Sequence, residues 1–84
     1  MRGDVVMVRD VTGAALVRRV WDEDARAVYA CTEERYTSLL SGGREWPPIG
    51  FPREDVFVYD ATLLDAIAAD RTAWNRATPY TKGE

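Results

Sequence analysis

The chain contains no histidine, one cysteine and one lysine. Without histidine it lacks the commonest general base, the commonest metal ligand and every Ser-His or Cys-His arrangement. The single Cys31 forms no internal disulfide, so a reducing cytoplasm is the expected setting. No segment approaches the ~18 uninterrupted apolar residues of a membrane span. The apolar run Val5 to Val8 behind Met1-Arg2-Gly3-Asp4 is too short for a signal-peptide core. There is no basic excess either: eleven Lys+Arg against fourteen Asp+Glu give a net charge of -3. A nucleic-acid face calls for a basic stripe, and these arginines are scattered. No internal repeat or low-complexity tract is present.

What remains is one small domain of 84 residues, 46% hydrophobic and 30% charged. A chain this short buries roughly 60–65% of its unfolded surface, so each large apolar residue counts. With no disulfide or zinc cluster as a staple, stability comes from a closed sheet backed by a helix, or from a second chain. Asp4 to Arg9, a β-branched run with charged ends, reads as a strand, and Asp10 to Gly13 as a turn. Leu16, Arg18 and Val20 alternate with Val17, Arg19 and Trp21 in a second strand that carries an arginine on each face. After the polar Asp22-Glu23-Asp24, Arg26 to Thr32 returns as a third strand.

The period then changes. Thr32 caps a short helix with Glu33 and Glu34 in its first turn and Tyr36, Leu39 and Leu40 on one face; Ser41-Gly42-Gly43 stops it. Trp46-Pro47-Pro48 excludes helix, Ile49 to Phe51 reads as an edge strand, Pro52 opens a 3₁₀ turn, and Val56 to Tyr59 is the last strand. Asp60 or Thr62 caps a second helix whose stripe is Leu63, Leu64, Ile67, Ala68, Arg71 and Trp74 or Asn75; Thr78-Pro79 ends it.

Gly50-Phe51-Pro52-Arg53-Glu54-Asp55-Val56 is similar to the Gly-x-Phe-Pro-x-x-x-Val run before the last strand of Src-homology-3-like barrels. Gly3-Asp4-Val5-Val6-Met7-Val8, with Gly13 and Val20 downstream, resembles the opening of the KOW-type members of that superfold. The resemblance covers about a quarter of the chain and implies a fold, not an activity. The expected architecture is therefore mainly β: a five-stranded antiparallel Src-homology-3-like barrel with an inserted helix near residues 33–41 and a C-terminal helix near 62–77. Residues 1–60 form the barrel, 61–78 the helix, and 79–84 a mobile tail.

No nucleophile–base pair or metal-ligand spacing appears, so neither catalysis nor a cofactor is expected. Cys31 reads as a packed small residue; Glu54, Asp55 and Asp60 are explained by the 3₁₀ start and a helix cap. Trp46 ahead of Pro47-Pro48 is a stiff apolar projection, either an interface anchor or a lid over the core, and Tyr36 shares its fate. The expected function is a non-enzymatic protein-binding module in the cytoplasm. Its partner surface comprises Trp46, Pro47, Pro48 and Tyr36, with Asp22, Glu23 and Asp24 steering a basic partner. The alternative is a KOW-like nucleic-acid module using Arg2, Arg9, Arg18 and Arg19. The terminal helix docks on its own sheet or, as the second option, joins a homodimer.

Overall fold

The computed structural model describes residues 2–43 and 48–80. Five antiparallel strands make one sheet: β1 (Val5–Arg9), β2 (Ala15–Glu23), β3 (Ala27–Cys31), β4 (Ile49–Pro52) and β5 (Val56–Val58), in the order β4-β3-β2-β1-β5. Helix α1 (Glu33–Leu40) lies between β3 and β4, a 3₁₀ turn (Arg53–Asp55) joins β4 to β5, and α2 (Ala61–Ala69) follows. β1 lies between β2 and β5 and is buried on both faces, which is why Val6, Met7 and Val8 are all apolar instead of alternating. Its two faces build two cores. Val6 and Val8 meet Val20, Val28 and Val56, with Leu16, Phe51 and Tyr80 against them. Met7 points the other way and meets Phe57, Leu63, Ile67, Ala73 and Trp74.

Local chemistry sets the ends of the elements. Thr32 caps α1 by accepting from the Arg35 amide, and Asp60 caps α2 by accepting from the Leu63 amide at 3.1 Å. In the β1–β2 turn the Asp10 carboxylate accepts from the amides of Thr12 and Ala14, while Gly13 takes φ +86.

Two expectations change. The C-terminal helix is not continuous over 62–77: α2 ends at Ala69 and a six-residue 3₁₀ segment, Arg71–Arg76, follows. Asp70 is the cause. Its backbone is extended (φ -153, ψ 111), and its carboxylate accepts from both the amide and the hydroxyl of Thr72, starting a new turn. The re-aimed chain buries Trp74, whose indole N–H donates to the Gly13 carbonyl at 2.7 Å and whose ring lies 4.9 Å from that of Phe57. Arg71 donates to the neighbouring Thr12 carbonyl, so the segment latches the β1–β2 turn. The stripe of Leu63, Ile67 and Trp74 is thus spent inside the chain's own core.

The sheet is also open, with β4 and β5 as its two edge strands. Both are short, and β4 ends at a proline that has no amide to donate. The outer side of β5 is occupied by the chain itself: the Val58 amide donates to Thr78 O and the Tyr80 amide to Val56 O, with Pro79 bridged to Phe57. Pro79 and Tyr80, expected in the tail, belong to the folded body, and the Tyr80 hydroxyl donates to Asp4 Oδ2 at 2.8 Å.

Candidate binding surface

The residues singled out from sequence fall into separate networks. Trp46 and Pro47 lie outside the described residues; Pro48 is half-buried. Tyr36 on α1 meets Trp21 of β2 edge-on, with ring centroids 5.7 Å apart, and the Arg19 guanidinium sits 5.3 Å over its ring. Arg19 also pairs with Glu33 at 2.8 Å, so this cluster fastens α1 to the sheet.

The acidic triplet is not a loose turn. Asp22 and Glu23 belong to β2, and only Asp24 starts the turn. Glu23 accepts from Arg53 at 2.6 Å with its side chain 9% exposed. Asp24 accepts from the amides of Arg26 and Ala27 and from the Tyr29 hydroxyl; those hydrogen bonds, the Arg26 amide first, hold its carboxyl below the usual range. Two of the three acids expected to steer a partner are therefore building the β2–β3 turn and tying it to the 3₁₀ turn.

The arginines of the alternative reading are similarly engaged, with one exception. Arg2 lies 4.2 Å over the Trp21 ring. Arg9 donates to Asp55 and to the Glu54 carbonyl, and its guanidinium lies over Phe57. Arg19 is paired as above. Arg18 makes no ion pair among the described residues; its guanidinium donates to the neighbouring Val17 carbonyl.

What sequence reasoning passed over lies along β4. Val11, at the tip of the β1–β2 turn, is 104% exposed. It faces a groove of about 490 Å³ whose remaining lining is Phe51, Pro52, Arg9, Asp10 and Asp55. Position explains the groove: Val11 is pushed outward because Asp10 and Thr12 turn their polar groups inward on the turn's own backbone. An apolar residue inside a polar turn was the available signal. Phe51 also forms part of the wall of a second cleft, about 190 Å³, between β3, β4 and the start of α1. Among the described residues no cluster of histidine, cysteine, aspartate or glutamate could hold a metal, and no helix is long and apolar enough to cross a membrane. Cys31 is buried, its Sγ 4.0 Å from the Arg19 carbonyl oxygen.

Compared with models of protein families, with curated proteins and with solved structures, the chain matches none.

Proposed function

We propose that this chain is a non-enzymatic protein-binding module of the Src-homology-3-like type, and that its partner surface is the groove between the β1–β2 turn and the 3₁₀ turn. The observation that carries the reading is Val11, held fully in water across the groove from Phe51 and Pro52. A valine in that position costs solubility and contributes nothing to either core, so its placement is best understood as a contact waiting for a partner. The groove is also braced by side-chain contacts. Asp10 fixes the turn, Arg71 and Trp74 latch it from behind, and Arg9–Asp55 joins the strand to the 3₁₀ turn at 3.2 Å. A preformed apolar surface loses little entropy on binding. The barrel-type assignment is supported by the strand order β4-β3-β2-β1-β5 and by the 3₁₀ turn that Pro52 introduces. We place the module in the cytoplasm because its single cysteine can form no internal disulfide.

The test is affinity capture from extracts of the source cells with wild-type protein and with Val11→Asp. A partner retained by the wild type and lost by V11D, at equal melting temperatures, is the expected result. Capture that survives V11D, or no capture at all, rejects the groove as the functional surface.

A further inference from the structure

The second cleft on the far side of Phe51 contains two guanidiniums, those of Arg18 and Arg35, together with Thr32, Ala30, Cys31 and Ile49. Both arginines are half-buried, and neither has a carboxylate partner among the described residues. Arg9, Arg19 and Arg53, by contrast, are each paired with a carboxylate. A partly desolvated guanidinium without a counter-charge is unfavourable, and two around one cleft repel each other. The floor beside them is apolar, with Ile49 62% exposed. Phe51 lines both this cleft and the Val11 groove, so the two lie on either side of one residue. The open edge of β4 runs alongside, able to accept an extended chain.

Resting on the protein-binding reading above, we infer that the partner segment is an acidic peptide. Its apolar residue seats against Val11, Phe51 and Pro52, and its carboxylate passes beyond Phe51 to lie between Arg18 and Arg35. Carboxylate oxygens suit this site because each guanidinium offers forked donors and Thr32 adds a hydroxyl. A nucleic acid suits it poorly: the other arginines named for that purpose are held by Trp21, Asp55 and Glu33, leaving two charges, too few for a backbone track.

The experiment is selection from a random dodecapeptide phage library on the full chain, followed by titration of the recovered peptides in labelled synthetic form. Recovered sequences are expected to combine an apolar residue with Asp or Glu. Replacing that acid by its amide should weaken binding about tenfold. Arg18→Gln and Arg35→Gln should each weaken the acidic peptide to a similar degree and leave the amide peptide unaffected, the signature of a direct pair. The peptide-side change tests the pairing even if a variant folds badly. Recovered peptides without acids, or acidic peptides indifferent to both variants while still lost in V11D, overturn the acidic-peptide inference and leave the protein-binding reading intact. Recovery of no sequence family overturns both. Binding of a labelled oligo-dT at ~50 mM salt that disappears in the Arg18→Gln/Arg35→Gln double variant assigns the cleft to phosphate and also overturns the inference.

Discussion

Trp74→Ala should remove a large part of the stability of this protein, and Trp74→Phe a small part. The indole is 7% exposed, packs with Met7, Phe57, Leu63 and Ile67, and donates to the Gly13 carbonyl. Truncating a buried tryptophan to alanine costs about 3–5 kcal/mol, the transfer of the ring plus the cavity it leaves. A domain of this length has roughly 4–13 kcal/mol in total. W74A should therefore melt some 12 °C or more below the wild type, at about 4–8 °C per kcal/mol. In W74F the ring contact with Phe57 survives and the loss is the hydrogen bond to Gly13, about 1–2 kcal/mol. Because the same tryptophan latches the β1–β2 turn, both variants should also speed amide exchange in residues 10–14. Urea unfolding followed by far-ultraviolet circular dichroism separates the cases, and it avoids confusion with Trp21. A W74A protein as stable as the wild type would show that the 3₁₀ segment does not dock on Met7 and Phe57. The helix stripe would then be free for a second chain.

Two further outcomes follow from local geometry. A Cβ placed on Gly50 would lie 2.8 Å from the Tyr29 ring, so Gly50→Ala must displace the ring that holds Asp24; a loss of about 1–3 kcal/mol is expected in thermal melts, and an unchanged melting temperature would contradict the β3–β4 register. The Tyr80 hydroxyl is the main cause of the lowered Asp4 pKa, and burial first, then Asp4, raises that of Tyr80. The lowered carboxyl gives stability that is present above pH 4 and lost as pH falls through the folded value. The raised phenol gives stability present below pH 10 and lost as pH rises past it. Tyr80→Phe should therefore cost about 1 kcal/mol near neutrality, and the difference from wild type should shrink at both extremes; a pH-independent difference would reject the Asp4–Tyr80 bond.

Where sequence reasoning succeeded, a local rule agreed with the global fold. The five strands and α1 were legible because valine-rich runs, the Thr32 cap and the Pro52 corner each act within a few residues. The break at Asp70 was equally local in cause, an aspartate two residues ahead of a threonine, but the helical stripe through Trp74 competed with it. The stripe prevailed in the reading because Trp74 lies at helical spacing from Ile67. A 3₁₀ segment reaches the same core by a different path. The open sheet was not legible at all, since nothing near β5 announces that residues 78–80 return to cover its edge. That contact depends on where α2 delivers the chain, a tertiary result.

Charge is the feature that the linear sequence conveys least well, because its effect depends on which groups folding brings together. Three consecutive acids read as an electrostatic lure, and two adjacent arginines stand one on each face of β2. Folding redistributes both. Glu23 is paired with Arg53, and the Asp24 carboxylate is held by the amides of the β2–β3 turn, so both acids have structural roles. Of the adjacent arginines, Arg19 pairs with Glu33, whereas Arg18, on the other face of the strand, lines the cleft with Arg35 and has no carboxylate partner among the described residues. Arg35 is carried to the same cleft by α1, an element inserted between β3 and β4. A minimal five-stranded sheet lacking that insertion would keep Arg18 and lose Arg35, so the acidic-peptide inference depends on the inserted helix.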